Sequence, residues 1–277
     1  MKNPILFAIV TYKEQYFECL SFISLVRSFS IYGEGKLNVF IYDNTDIDNW
    51  KVEKNEISDV KVNYVHQKDN PGISFAYNRI NDFAFENKFQ CVVFLDQDTT
   101  LPIETYKVYS ENTLRTTGNF TAVPTVLSNK KIISPSRYLC YRSILFNKID
   151  KNVLNFKYVS CINTGLMVDV GFFKSVGGYN EKLKLDFCDH DFIEKVKKTE
   201  FFLDILPLTL TQDFSADINT KLQALNRYKI FVADLKQFST NRSAVTLFLF
   251  VDIPHLLKLM YKYQTIFFYK IRFFSKL

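Results

Sequence analysis

The chain has 277 residues, 47% of them hydrophobic and 23% charged, enough to fill the core of one large α/β domain and too apolar for a disordered chain. Its net charge of +6 lacks the density of a dedicated nucleic-acid binder, so no nucleic-acid partner is expected, and only 8 glycines argue against a Gly-rich β architecture. The excess is uneven, because six Lys or Arg and a single acid, Asp252, lie from Arg242 onward. Five cysteines at irregular spacing, with no Cys-x-x-Cys, read as core residues of a reducing compartment. The first apolar stretch is too short for a signal peptide. No apolar run approaches the ~18 residues of a membrane-spanning helix, so a cytoplasmic protein is expected.

Residues 5–11, ILFAIVT, form a continuous apolar run that predicts a strand buried on both faces. Residues 14–30 predict a helix, with Phe17, Leu20, Ile23 and Val26 at near-helical spacing. Strands are predicted at 37–42, ending at Asp43, and at 61–65. A turn at Asp69-Asn70-Pro71-Gly72 leads into a helix with Ala76, Ile80, Phe83 and Ala84 on one face. The run 91–95, CVVFL, is a further buried strand that passes straight into Asp96-Gln97-Asp98. This alternation predicts a mostly parallel sheet wrapped by helices. Beyond it, 119–170 reads as short strands and long loops, 186–198 as a helix opened by acids, 201–210 as a strand and 220–238 as a helix. The remainder is helical, aromatic and basic.

In parallel sheets ligands bind beyond the carboxyl ends of the strands. Thr11, Asp43 and Asp96 each stand at such an end, so three polar residues converge on one edge. Asp96 and Asp98 are two residues apart, which puts both carboxylates on one side of the chain. Such oxygen ligands suit a hard divalent cation, Mg²⁺ or Mn²⁺, able to neutralise a departing diphosphate. The plain alternative is a turn, where Asp is common. A second acidic group, Asp186, Asp189 and Asp191, opens the helix at 186–198. A carboxylate there could take a proton from an attacking hydroxyl, or simply cap the helix.

The run DNPGISFAYNRINDFAFENKFQCVVFLDQDTTLP resembles the donor half of family 2 glycosyltransferases, closest to a bacterial rhamnosyltransferase-like branch. CINTGLMVDVGFFKSVGGYNEKLKLDFCDHDF resembles the acceptor-side segment of the same branch. The likeness extends over about residues 5–240. It implies a GT-A-type (Rossmann-like) α/β fold, with a mostly parallel mixed sheet flanked by helices and a C-terminal helical extension. The catalytic domain would occupy 1–240, with a nucleotide-sugar half at 1–100 and an acceptor half at 101–240; 241–277 would be a basic aromatic appendage.

By the resemblance, Thr11 and Tyr12 would line the nucleotide pocket, Asp43 would bind the pyrimidine base, and Asn70, Gly72 and Asn78 would shape the donor site. Asp96 would lie near ribose and metal, with Asp98 the direct metal ligand and Asp189 the catalytic base. Asn163, Thr164, Gly165, Asp186 and Asp191 would face the acceptor. Relatives often carry His-Asp-Phe-Ser where this chain has Gln212-Asp213-Phe214-Ser215, which leaves the third metal ligand open between Gln212, Asp213 and water. His190, between two acids, reads as structural.

The implied activity is inverting, metal-dependent transfer of a sugar, rhamnose by analogy, from a dTDP- or UDP-activated donor. The acceptor would be a glycan or lipid-linked saccharide in bacterial capsule or O-antigen synthesis. The tail, with aromatics interleaved among Lys258, Lys262, Lys270, Arg272 and Lys276, suits either the inner face of a cytoplasmic membrane or packing on protein. Two rivals stay open. One is a sugar nucleotidyltransferase, although the first loop, TYKEQY, lacks the Gly-rich signature of that class; the other is a non-catalytic sugar-binding protein. Oligomeric state is not legible.

Overall fold

The computed structural model describes residues 5–52, 57–115, 120–212 and 220–274. The apolar runs become β1 (Ile5–Thr11), β2 (Leu37–Asp43) and β4 (Cys91–Asp96), nearly all buried, while β3 (Val60–His66) is outermost and half exposed. β5 (Thr99–Thr100) follows the Asp96–Asp98 turn. The second half adds β6 (Thr121–Ser128), β7 (Lys131–Ser134), β8 (Ser136–Leu139), β9 (Arg142–Ile144), β10 (Val153–Asn155), β11 (Val159–Ser160), β12 (Met167–Asp169) and β13 (Phe202–Gln212).

Among the described residues one sheet runs β10-β13-β6-β12-β4-β1-β2-β3, with β5 on β13 and β7 on β6. β1, β2, β3 and β4 are parallel neighbours, and antiparallel β12 joins β4 to β6. The two halves therefore share one sheet. β8, β9 and β11 form a separate small sheet.

Strand alternation divides the core into two layers. Leu6, Ala8, Val92 and Phe94 point to the side covered by α2 (Ile73–Glu86), α4 (Val170–Ser175), α5 (Cys188–Val196) and α6 (Lys221–Phe238). Ile5, Phe7, Ile9, Val93 and Leu95 face α1 (Leu20–Tyr32) and α3 (Thr105–Arg115). All five cysteines are free, and Cys19, Cys91, Cys161 and Cys188 are buried.

Two expectations need correction. The first helix starts at Leu20, not at residue 14. Residues before it are drawn into turns: Ser21 donates its N–H to the Gln97 carbonyl and its hydroxyl to the Asp96 carbonyl, which fixes the helix start beside the site. The tail also contains a longer apolar helix than expected. α7 (Ala244–Leu247), a π-helical turn (Phe248–Asp252) and α8 (Ile253–Tyr263) run on as 20 residues, long and apolar enough to cross a membrane by length and composition. Scattered polar residues such as Asp252 and Lys258 interrupt the run in sequence without breaking the helix.

α9 (Phe267–Phe274) folds back from α8. Leu247, Leu256, Phe268 and Ile271 are buried, and Asp252, buried in mid-helix, accepts a hydrogen bond from Arg272 Nε at 2.7 Å. The His255 ring lies 4.3 Å from Phe231, and Phe268 lies 5.4 Å from Tyr228, so the hairpin covers one side of α6. Val245, Leu249, Leu257, Tyr261, Phe267 and Phe274 remain exposed.

Candidate active site

Sheet register assembles the site. Val10 lies opposite Asp96 and Thr11 opposite Asp43, so the ends of β1, β2 and β4 share one edge. β5 pairs with β13 so that Gln212 faces Thr99, which carries Gln212 to the Asp96–Asp98 turn. Gln212 Nε2 donates to Asp96 Oδ2 at 2.9 Å and to Asp98 Oδ1 at 3.0 Å. One amide thus bridges both carboxylates. Tyr77 OH donates to Asp96 Oδ1 at 3.2 Å.

Burial, and next the charge of Asp98, push Asp96 up to about 6; the bonds from Gln212 and Tyr77 oppose the rise, and Asp189 adds to it. Glu14 is raised by burial and then by Asp98, so a further carboxylate lies close by. Among the described residues no group of three or more His, Cys, Asp or Glu is arranged to hold a metal. The buried Gln212 Oε1 has no hydrogen-bond partner among them. Turning that amide over exchanges Nε2 for Oε1 and offers a third oxygen beside two carboxylates, a donor set that fits a hard cation. Asp213 lies outside the described residues.

On the donor side, Thr11 is fully buried and its Oγ1 has no partner among the described residues. The Tyr12 N–H donates to Gln97 Oε1 at 2.6 Å, while its ring stays exposed and its hydroxyl meets Asp46 at 3.1 Å. Asp43 is buried and committed: Trp50 Nε1 and Tyr64 OH both donate to Oδ2 at 2.7 Å, and the Thr45 N–H donates to Oδ1 at 2.9 Å. Asn70 closes its turn with φ +42°. Gly72 has φ +105°, and a Cβ there would come within 2.6 Å of the Lys184 carbonyl oxygen, so only glycine fits. Asn78 reaches across to the second half of the chain, donating to the Tyr179 carbonyl and to Glu181 and accepting the Tyr179 N–H at 2.9 Å.

Among the residues expected on the acceptor side, Thr164 Oγ1 accepts the Asp96 N–H at 3.1 Å, and the Gly165 N–H donates to Phe94 O at 2.7 Å. Asn163 Oδ1 accepts from Tyr179 OH at 2.6 Å. These three residues form the floor beside β4. Asp189 stands in the first turn of α5, and its Oδ1 accepts the His190 N–H at 2.8 Å. Phe187 holds the N-cap position, so Asp189 does not cap the helix. His190 is fixed between Ser160, 2.7 Å from Nδ1, and Ser143, and its ring packs on Tyr138.

Asp186 and Asp191 are both held by arginines. Asp186 is gripped by both guanidinium nitrogens of Arg227, and Asp191 by Arg242 Nη2 at 2.8 Å. Sequence reading missed Tyr77, Trp50, Arg227 and Arg242. All but Trp50 have partners distant in sequence, and no local motif marks them.

No family model matches the chain, and no curated protein matches it in sequence. Solved structures do resemble it. TarS 1–349 of S. aureus, crystallised with UDP, superposes with a TM-score of 0.51 at 11% identity, over 96% of this chain and 72% of that one. GalNAc-T7, crystallised with UDP, GalNAc and Mn²⁺, gives 0.54 at 12% identity, over 96% of this chain and 57% of that one. The mannosyltransferase PcManGT from Pyrobaculum calidifontis, in complex with GDP-Man and Mn²⁺, gives 0.53 at 11% identity, over 94% and 72%. At such identities the likeness speaks for architecture: the fold of this chain is the GT-A fold of these glycosyltransferases.

Proposed function

We propose that the chain is a nucleotide-sugar-dependent glycosyltransferase, with residues 1–240 as the catalytic unit and 241–277 as a membrane-facing appendage. One observation carries the reading. At the carboxyl edge of a GT-A sheet, Asp96 and Asp98 meet on one amide of Gln212, with Asp189 near enough to perturb Asp96.

Asp96, Asp98 and, after an amide turn, Gln212 would hold Mn²⁺ or Mg²⁺. When bound, the cation neutralises charge on the departing nucleoside diphosphate. Tyr12 would offer its exposed ring to the nucleoside, and Thr11, with its buried unpartnered hydroxyl, would line the pocket behind it. Asp43 would bind a pyrimidine base by exchanging one of the bonds that Trp50 and Tyr64 now give Oδ2. Asn70 closes the donor-side turn, and Gly72 and Asn78 set the donor wall by locking it to the acceptor half. Asp189 takes the proton of the acceptor hydroxyl while its oxygen attacks the anomeric carbon and the bond to diphosphate breaks. That is a single inverting displacement. Asp186 and Asp191, held by arginines, keep the acidic turn in place, and Asn163, Thr164 and Gly165 floor the acceptor side.

The donor we assign is a dTDP- or UDP-hexose, rhamnose by sequence resemblance. The acceptor is a glycan or lipid-linked saccharide of a bacterial surface polysaccharide. The exposed aromatics and lysines of the C-terminal hairpin support peripheral attachment at the inner face of the cytoplasmic membrane. The test is nucleoside diphosphate release from a panel of UDP-glucose, UDP-N-acetylglucosamine, GDP-mannose and dTDP-rhamnose with Mn²⁺ or Mg²⁺. Wild type should release diphosphate from one donor and Asp98→Ala from none. Full metal-dependent release by Asp98→Ala would sink the site assignment.

A further inference from the structure

We infer that Asp234 is a positioning residue for the transfer step: from α6 its carboxylate holds the loop Lys184–Asp186, and through that loop the acidic turn, in register with the donor half. The inference rests on the reading of the acidic turn as the proton-accepting side of the site.

Asp234 is only 2% exposed. Its Oδ1 accepts the Lys184 N–H at 2.9 Å, and its Oδ2 accepts the N–H groups of Leu185 at 2.9 Å and Asp186 at 2.8 Å. Three consecutive amides therefore converge on one carboxylate some fifty residues away in sequence, an anion-holding geometry that short loops adopt when something must fix them. A buried carboxylate is costly to keep unless its hydrogen bonds are complete. Burial raises Asp234 above the usual carboxylate range, and the three backbone bonds pull it back.

What this loop connects gives the arrangement its meaning. Upstream, the Lys184 carbonyl accepts the Ile73 N–H at 2.8 Å, directly beside Gly72, where no Cβ fits. The loop is thereby docked on the turn that opens the donor-side helix α2. Downstream, Asp186 is forked by Arg227, also from α6. Phe187 then takes the left-handed conformation, φ +64°, stacked on Phe238, and swings the chain into α5, whose first turn presents Asp189. Asp234 touches neither half of the reaction. It fixes the short segment that joins them.

The test uses the full chain and two variants. Asp234→Asn removes the charge and turns one acceptor into a donor facing an N–H. Asp234→Glu keeps the charge and displaces it by one methylene. Three readouts are compared: diphosphate release from the donor panel above, binding of UDP with Mn²⁺, and hydrogen exchange of the Lys184, Leu185 and Asp186 amides. Both variants should bind UDP–Mn²⁺ as wild type does, exchange these three amides faster, and lose kcat by about a hundredfold, the effect of misplacing a reacting group by ~1 Å.

Unchanged kcat in a folded variant would overturn the inference. So would a fall in UDP binding that matches the fall in kcat, the mark of a purely structural role. Should Asp234→Asn not fold, Asp234→Glu decides by the same criteria. Asp189→Asn run alongside separates the two readings. Active Asp189→Asn removes the base assignment and the inference that rests on it; inactive Asp189→Asn with unimpaired Asp234→Asn removes the positioning role alone.

Discussion

Gln212 is where metal-free and metal-loaded protein should part company. Its amide sits between two carboxylates, 2.9 Å from one and 3.0 Å from the other, and it is nearly buried. Replacing it by leucine keeps the volume and removes both bonds. A hydrogen bond to a charged group contributes about 1.5–3 kcal/mol. Asp98 is partly exposed, so the two together come to about 3 kcal/mol, discounted for solvent. For a chain of this size that is roughly 5–10 °C in Tm. The assay is scanning calorimetry of wild type, Gln212→Leu and Gln212→Glu, with and without saturating Mn²⁺.

Without metal, Gln212→Leu should melt lower than wild type and Gln212→Glu lower still, because a third negative charge joins the pair. With Mn²⁺ the order of the two variants should invert, since glutamate supplies an oxygen ligand and leucine supplies none. Equal melting of Gln212→Leu and wild type without metal would refute the bridging role. A Gln212→Glu protein that stayed the least stable in Mn²⁺ would refute the metal site itself.

Proton and cation should compete at Asp96. With a folded pKa of about 6 against an ordinary 3.8, the metal-free protein holds this stabilising proton at low pH and loses that contribution as the pH rises through about 6. Mn²⁺ affinity, read by titration calorimetry, should run the other way and fall as the pH drops through that value; a flat profile would argue against Asp96 as a ligand. Gly72→Ala forces a side chain onto a φ of +105° and against the Lys184 carbonyl. Strain of about 1–3 kcal/mol plus the clash should lower the urea midpoint markedly, and an unchanged midpoint would mean that the turn can move. Wild-type chain should cosediment with vesicles containing anionic phospholipid, and Leu249→Glu/Tyr261→Glu should lose about 1.5–3 kcal/mol of binding per buried side chain. Undiminished cosedimentation would place the contact elsewhere, and concentration-dependent dimers in place of binding would make the hairpin a protein interface.

How far the sequence went depends on the range of the forces involved. β1, β2 and β4 were readable because a strand buried on both faces needs an unbroken apolar run. Asp96 and Asp98 were readable because such a run ended in charge at a sheet edge. The start of α1 was not, since the bonds that hold Ser21 at Leu20's helix come from Asp96 and Gln97, far along the chain. α3 and α4 passed unnoticed for a different reason: each is short or weakly patterned and gains its stability by docking on the sheet. Asp186 and Asp191 had the right residue type and place for an acceptor role, but which carboxylate is free depends on Arg227 and Arg242, contributed by α6 and the residues after it. Similarly, nothing near Asp234 in sequence announces three backbone partners around Leu185.

Helix α6 bears two loads, and this affects how the protein can be dissected. Arg227 holds the Asp186 carboxylate and Asp234 the amides of Lys184–Asp186, while Tyr228 and Phe231 pack against His255 and Phe268 of the hairpin. Trimming the aromatic tail to improve solubility would strip the lid from that side of the helix and delete Arg242, the guanidinium that neutralises Asp191. A shortened protein that no longer transfers sugar would therefore say nothing about attachment to lipid. Substitutions confined to the outward side of the hairpin, at Val245, Leu249 or Tyr261, ask that question without unroofing the catalytic half.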